Sequence, residues 1–167
     1  MQTRPRLDNP LLVLGIGLCF VLLFAGLFCL LQQGDKRTYN LYYTVPIALP
    51  FIAFILDRME CRPEWTSAQR KLDAATVFFA LLRSIATHYL TFLSGHVLFL
   101  TYSLLTSRSW AARITAVLVG IEVLYLKIFA WHKPEWIGGI LLGLLAAGWF
   151  HYLKAKAARV GGSPAGI

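Results

Sequence analysis

The chain has 167 residues, of which 57% are hydrophobic and only 14% are charged. Because about 25% of the residues in a soluble domain are charged, this composition excludes an ordinary soluble protein and favours one embedded in a lipid bilayer. The formal net charge of +8 is compatible with nucleic-acid binding. However, the Lys and Arg residues lie mostly in short segments between apolar runs, where they set orientation in a membrane. We therefore predict a bilayer partner and no nucleic-acid partner.

The apolar runs predict six membrane-spanning helices in one domain, an all-α polytopic membrane fold. A polar leader, 1–10, precedes the first run, 11–31, whose length of about 21 residues suits a hydrocarbon core of about 30 Å. A signal peptide is the alternative for this run, although the run is long for that and lacks a small-residue cleavage site. A basic tail, 154–167, is predicted to be disordered. The other spans are predicted at 39–56, 74–89, 94–106, 112–131 and 136–153, so that the membrane domain covers 11–153.

Local signals add detail to the second and third spans. Pro46 and Pro50 predict a kink within the second span. Thr66 or Ser67 predicts the start of a short amphipathic segment that leads into the third span. Trp65 is expected at the inner membrane interface, where amphipathic rings accumulate.

The distribution of Lys and Arg predicts the orientation of the chain. Eleven of these residues fall on the side that holds both termini and three on the opposite side. The positive-inside rule makes the richer side cytoplasmic, which predicts a protein of the plasma (inner) membrane with both termini in the cytoplasm. The junctions at 94–96 and 132–135 then lie on the periplasmic or extracellular side. The eleven are Arg4, Arg6, Arg58, Arg62, Arg70, Lys71, Arg108, Arg113, Lys154, Lys156 and Arg159, and the three are Lys36, Arg37 and Lys133.

Four ionisable residues lie inside the predicted spans, where charge is costly and indicates a partner or a cavity. At about 1.5 Å per residue, Arg83 and Glu122 lie at matched depths, which predicts a structural ion pair near the midplane. His88 and Lys127 each lie five residues further outward. A hydrogen bond between helices is the alternative for His88, and extension of the side chain to the interface is the alternative for Lys127.

Ser94, Gly95 and His96 open the fourth predicted helix. A helix N-terminus presents unpaired N–H groups and a partial positive charge, both of which suit a phosphate group. Ser94 can cap the helix, Gly95 lets an anion approach the backbone, and His96 can transfer a proton near neutral pH. The alternative is an ordinary capped turn between two helices.

A second polar junction follows the fifth predicted helix. His132 is a candidate nucleophile, because a hydrogen bond donated by one of its ring nitrogens to Glu135 would fix its tautomer and leave the other nitrogen free to attack. Lys127 would supply positive charge to the phosphoryl oxygens. A metal site of His96, His132 and Glu135 is the alternative, but the nearby cation Lys127 disfavours it. We therefore predict neither a metal nor another cofactor.

These two junctions resemble those of the type 2 phosphatidic acid phosphatase (lipid phosphate phosphatase) superfamily. Leu93-Ser94-Gly95-His96 resembles the family's Pro-Ser-Gly-His motif, apart from the proline. Lys127, His132 and Glu135 resemble its Ser-Arg-x5-His-x3-Asp motif, with Lys for Arg, Glu for Asp and each spacing one residue shorter. Trp136-Ile137-Gly138-Gly139 fits the small residues that follow this motif. The family's first motif, Lys-x6-Arg-Pro, is absent.

The resemblance covers the third to sixth predicted helices and implies that they form a lipid-phosphatase-like bundle. It implies that His132 forms a phosphohistidine, that His96 protonates the leaving group and that Glu135 orients His132. Ser94, Gly95 and Lys127 would hold the phosphate, and Arg83 and His88 are further candidates for phosphate binding.

The implied function is a membrane phosphatase or phosphotransferase acting on a lipid phosphate or diphosphate at the outer leaflet. Two alternatives stay open at this point: a catalytically inactive scaffold or assembly protein on the same fold, and a small transporter. In the transporter, Arg83, His88, Glu122 and Lys127 would line a path. The sequence leaves the oligomeric state open and is compatible with a homo-oligomer.

Overall fold

A computed structural model describes residues 36–61, 65–85, 92–130 and 132–161, and all the regular secondary structure within these ranges is helical. The predicted all-α class is therefore confirmed for this part of the chain. The predicted leader 1–10, the first predicted span 11–31, and His88 lie outside the described residues. The helices are α1 (Lys36–Cys61), α2 (Ser67–Ile85), α3 (Gly95–Thr106), α4 (Trp110–Tyr125) and α5 (Glu135–Gly161), and a π-helical turn (Leu126–Ala130) continues α4.

Local side-chain bonds explain where α2 and α4 begin. Thr66 Oγ1 accepts a hydrogen bond from the Gln69 N–H at 3.2 Å, and Gln69 Oε1 accepts one from the Thr66 N–H at 3.0 Å. This reciprocal capping box satisfies two N–H groups that the helix leaves unpaired. The Ser109 side chain caps α4 in a similar way by accepting from the Ala112 N–H at 3.1 Å. The predicted start at Thr66 or Ser67 is thus confirmed, and α2 runs on from it without a break.

The short helix α3 lies at the centre of the bundle, in contact with every other described helix. Eight of its 12 residues are buried, as expected of a helix that is apolar on all sides.

Glycines of α5 let α3 and α5 approach closely. A Cβ at Gly139 would lie 2.8 Å from the Ser94 carbonyl oxygen, and one at Gly143 would lie 2.7 Å from Thr101 Cβ. Small residues at a contact are a common route to close helix packing in membranes.

One described helix is long and apolar enough to cross a membrane by length and composition. It is the stretch Glu135–Arg159 of α5, with 25 residues and a mean hydropathy of 1.5. Helix α3 is apolar, but its 12 residues span only about 18 Å. The described part of the chain therefore supplies one candidate span, and the six-span architecture stays a prediction.

Two helices extend beyond the limits that hydropathy predicts. Helix α1 continues past position 56 to Cys61 and runs through Pro46 and Pro50. Bonds hold this extension in place: Arg58 donates to Asp73 of α2 and Thr106 of α3, and Asp57 accepts from backbone N–H groups in the loop before α4. Helix α5 continues to Gly161, so residues 154–161 of the tail predicted to be disordered are helical. Their Ala- and Lys-rich composition has a high helix propensity.

Candidate functional site

The start of α3 has the capped geometry that the sequence predicts. Ser94 has an extended backbone (φ −98°, ψ 113°), and its hydroxyl accepts from the Val97 N–H at 3.5 Å. Gly95 serves a purpose other than the predicted approach of an anion, because a Cβ at this position would collide with the Ala80 carbonyl oxygen of α2. The missing side chain at Gly95 therefore permits α2 and α3 to pack closely.

Glu135 joins the two predicted junctions. Its carbonyl oxygen accepts a hydrogen bond from the Ser94 N–H at 3.0 Å, so the start of α5 lies against the start of α3. Its carboxylate faces two cations: Oε2 lies 3.1 Å from Lys127 Nζ, and Oε1 lies 3.6 Å from an Arg83 guanidinium nitrogen. Only 15% of the Glu135 side chain is exposed, which limits screening of these charges by water.

Arg83 pairs with Glu135 rather than with its predicted partner, Glu122. Its Nε also donates to the Leu93 carbonyl oxygen at 2.6 Å, which ties the end of α2 to the segment before α3. Glu122 is buried, and its Oε2 has no hydrogen-bond partner among the described residues. The depth count failed because the Arg83 side chain reaches the segment before α3 and the start of α5, where Leu93 and Glu135 supply its partners.

Lys127 lies on the π-helical turn that continues α4. Its side chain is 9% exposed and bonded to Glu135, so it does not extend to the surface as the alternative interpretation required. The Lys127 carbonyl oxygen accepts from the Lys133 N–H at 2.9 Å, which closes the loop that contains His132. π-Helical turns are rare and occur frequently at functional sites.

His132 lies exposed in this loop with a φ of 51°. Among the described residues other than glycine, it alone has a positive φ. Histidine adopts this left-handed conformation more readily than most residues, but the conformation still costs conformational energy. In this structure Glu135 does not accept the predicted bond from the His132 ring, and its carboxylate bonds Lys127 and Arg83 instead.

His96 is half-buried and lies within electrostatic range of both Lys127 and Arg83. It also lines a cavity of about 310 Å³ between α1, α2 and α3, together with apolar residues such as Phe51 and Phe99. The site therefore combines cations, a histidine and a helix N-terminus with an apolar space beside them. Within the described ranges, no three His, Cys, Asp or Glu side chains are grouped as a metal ion would require.

A second polar network, at the opposite end of α3, was not predicted from the sequence. Arg58 bonds Asp57 at 3.0 Å and Asp73 at 3.2 Å, and it donates to the Thr106 carbonyl oxygen at 3.2 Å. Tyr102 donates its hydroxyl to Asp73 at 2.6 Å. Asp57 and Arg58 directly follow an apolar run, where they look like interfacial charges. Their identity alone gave no signal for partners on α2 and α3.

Comparison of the chain with protein-family models, with curated proteins and with solved structures finds no match. The resemblance to lipid phosphate phosphatases therefore depends on the residues of the two junctions. The structure brings Ser94 and Glu135 together with Arg83 and Lys127, and it leaves His132 exposed in the adjacent loop. Such a site can attract an anion, and it offers two imidazoles for proton transfer or nucleophilic attack.

Proposed function

We propose that the protein is an integral membrane phosphatase or phosphotransferase. It acts on a lipid phosphate or diphosphate at the outer leaflet through a phosphohistidine intermediate. The observation that carries the proposal is the contact between the start of α3 and Glu135, with Lys127 and Arg83 on the Glu135 carboxylate. This contact unites the two sequence segments that resemble the phosphatase motifs.

Exposed apolar side chains support the membrane part of the proposal. Large hydrophobic residues on four of the five helices are more than half exposed, including Phe78 at 66%, Ile121 at 62% and Leu145 at 70%. Soluble monomers rarely expose large contiguous apolar patches, whereas a lipid bilayer can cover exposed apolar side chains on several helices. Together with the candidate span in α5, this surface suits a six-helix membrane bundle.

The charges at the site favour an anionic substrate. Among the described residues, two cations, Arg83 and Lys127, face the single carboxylate of Glu135. A phosphate dianion would bring two negative charges and compete with Glu135 for both cations. We propose that substrate binding releases Glu135 in this way. The released carboxylate then accepts the hydrogen bond from His132 that orients this ring for attack.

The reaction follows from the two imidazoles. A nitrogen of His132 attacks phosphorus and the bond to the leaving oxygen breaks. His96, which takes up a proton when the negative charge of the phosphate offsets Lys127 and Arg83, gives this proton to the leaving oxygen. His96 then takes a proton from water or from the hydroxyl of a second lipid. The resulting oxygen nucleophile attacks the phosphohistidine and regenerates His132. Water as acceptor gives a phosphatase, and a lipid hydroxyl gives a phosphotransferase.

A catalytically inactive scaffold on the same fold is the second candidate. The observation that favours it is that Glu135 engages both cations that would hold phosphate. If these bonds are permanent, the cluster acts only as a connection between α2, α4 and α5. A transporter is favoured by a different observation, the buried Glu122 oxygen without a described partner, because ionisable groups inside membranes often mark transport paths.

Substitution of His132 tests the proposal directly. The full-length protein is assayed in lipid nanodiscs with phosphatidate, phosphatidylglycerol phosphate and a polyprenyl diphosphate, for both phosphate release and transfer. We expect activity on at least one substrate, an acid-labile phosphoprotein during turnover, and loss of both in His132→Ala. His151→Ala is the matched control, because His151 is exposed and contacts the Leu105 carbonyl oxygen, far from the site.

Each alternative predicts a different result. If the wild-type protein and His132→Ala behave alike on every substrate, the catalytic proposal is wrong and the scaffold is favoured. If Glu122→Gln abolishes lipid flux while His132→Ala and His96→Ala leave it unchanged, the transporter is favoured.

A further inference from the structure

A second cavity lies between the C-terminal part of α1 and the N-terminal part of α2. Its volume is about 420 Å³, and most of its lining is apolar, including Phe51, Ile55 and Val77. Phe51 and Val77 also line the cavity beside His96. The two cavities thus lie next to each other between α1 and α2 and share part of their lining. We call the larger one, which His96 does not line, the inner groove.

Two arginines border the inner groove. Arg70 is exposed and has no ion-pair partner within the described ranges. The guanidinium of Arg58 lies over the rings of Phe54 and Trp65, at 4.1 Å from each centroid. Its Nε is buried and makes no hydrogen bond in the described part of the chain. The groove therefore combines a hydrocarbon-like wall with positive charge at its mouth.

Asp73 is the acidic residue that lines the inner groove, and bonds to neighbouring side chains offset its negative charge. Its Oδ1 accepts bonds from Tyr102 and from Arg58. Burial raises the pKa of Asp73 above its usual value, against the lowering effects of Arg58 and Tyr102. Asp57 in turn accepts from the backbone N–H groups of Arg108 and Ser109. Both carboxylates thus have partners, and at the mouth no described acidic side chain forms an ion pair with Arg70.

We infer that the inner groove binds an anionic phospholipid, with one acyl chain along Phe51 and Val77 and the headgroup phosphate on Arg70. The inference depends on the membrane placement proposed above and is independent of the phosphatase chemistry. Charge complementarity supports the inference, because the positively charged Arg70 and the adjacent Lys71 lie on the side of the membrane that is predicted to be cytoplasmic. Basic residues at that surface attract anionic lipids. Trp65 also lines the groove, and tryptophan favours the depth of lipid headgroups.

Trp65 provides a reporter for this site. The other tryptophans, Trp110, Trp131, Trp136 and Trp149, are replaced by Phe in the full-length chain. The protein is placed in phosphatidylcholine nanodiscs doped with phosphatidylglycerol or phosphatidylcholine that is brominated on its acyl chains. We expect brominated phosphatidylglycerol to quench Trp65 fluorescence more strongly than brominated phosphatidylcholine at equal content.

Charge variants at the mouth test the headgroup contact. In Arg70→Gln the preference for the anionic lipid should fall about fivefold, the effect of one cation at a membrane surface, and Arg70→Lys should retain most of it. Arg159→Gln is the matched control, because Arg159 is also exposed and predicted cytoplasmic but does not line the groove. Native mass spectrometry of the chain with all five tryptophans, with and without Arg70→Gln, repeats the test without the Trp replacements.

Three results would overturn the inference. Equal quenching by the two lipids means that the groove contacts hydrocarbon without recognising a headgroup. Absence of quenching by either lipid means that protein fills the groove, for instance the 11–31 segment of this chain. Equal losses in Arg159→Gln and Arg70→Gln mean that the attraction is a diffuse surface effect. His132→Ala should leave the quenching unchanged, so failure of the phosphatase assay would leave this test valid.

Discussion

Lys127 and Glu135 form an ion pair of 3.1 Å across the loop that carries His132. The pair connects the π-helical end of α4 to the first turn of α5, and Arg83 approaches the same carboxylate from α2. Three helices are thus fixed relative to one another by charges that are mostly excluded from water. The stability of the fold should be sensitive to substitutions in this cluster, because a buried charge that loses its partner destabilises the folded state.

Removal of the Glu135 charge should therefore destabilise the protein strongly. Glu135→Gln leaves Lys127 and Arg83 without their carboxylate, and breaking a buried ion pair from one side costs about 3 kcal/mol or more. Thermal unfolding in detergent, followed by intrinsic fluorescence, measures the effect. Glu122→Gln is the matched control, because it removes a buried carboxylate that has an unsatisfied oxygen and no described ion pair. Equal losses in the two variants would contradict the assignment of Glu135 as the joining residue.

Close packing of α3 against α5 predicts opposite effects for two glycines of one helix. A Cβ at Gly143 would lie 2.7 Å from Thr101 Cβ, so Gly143→Ala should cost about 1–3 kcal/mol through overpacking. A Cβ at Gly148 would meet nothing within 4 Å, so Gly148→Ala should stabilise α5 by up to about 1 kcal/mol. The unfolding midpoints of the two variants test this contrast. A stabilised Gly143→Ala would mean that α3 and α5 are further apart.

The parts of the fold that the sequence predicted well depend on local chemistry. Ser94 at the start of α3 and Thr66 before α2 were recognisable because capping needs particular residues at fixed spacing. Hydropathy located the helices but misplaced the ends of α1 and α5, because it reports the apolar run and a helix can continue into polar sequence. The tail is helical as far as Gly161 because its residues have a high helix propensity. The prediction of disorder was based on the terminal position of this segment and overlooked that propensity.

The partners of charged residues were less predictable because they depend on the tertiary arrangement. Arg83 and Glu135 are separated by 52 positions, and nothing in their spacing selects Glu135 over Glu122. Gly95 illustrates a different limit. Its lack of a side chain suggested room for an anion, whereas the space is occupied by the Ala80 carbonyl oxygen.

Asp73 predicts how stability depends on pH. Burial raises the pKa of Asp73 from its usual 3.8, so the folded state favours the neutral carboxyl. A group whose pKa is higher in the folded state than in the unfolded state stabilises the folded protein fully at pH values below the unfolded-state pKa. This stabilisation is lost as the pH rises through the folded-state pKa. Wild type should therefore lose stability relative to Asp73→Asn as the pH rises from about 4 towards neutrality. Unfolding midpoints of both proteins across this range measure the difference.

Tyr102 provides an internal check on the Asp73 prediction. Its hydroxyl donates to Asp73 and lowers the pKa of that carboxyl, in opposition to burial. Tyr102→Phe should therefore shift the loss of stability to higher pH. A wild-type protein that gains stability relative to Asp73→Asn with rising pH would show that Arg58 outweighs burial at this site.

Substitution of two capping serines distinguishes a loss of stability from a loss of substrate binding. Ser94 caps α3 and Ser109 caps α4, and replacing either by Ala should cost about 1 kcal/mol of stability. Under the proposed function, only Ser94 lies beside the phosphate, where its hydroxyl can donate to a phosphoryl oxygen. Ser94→Ala should therefore raise the KM for the lipid phosphate, whereas Ser109→Ala should leave it unchanged. Equal KM values in the two variants, at equal loss of stability, would restrict Ser94 to capping and remove the start of α3 from the proposed site.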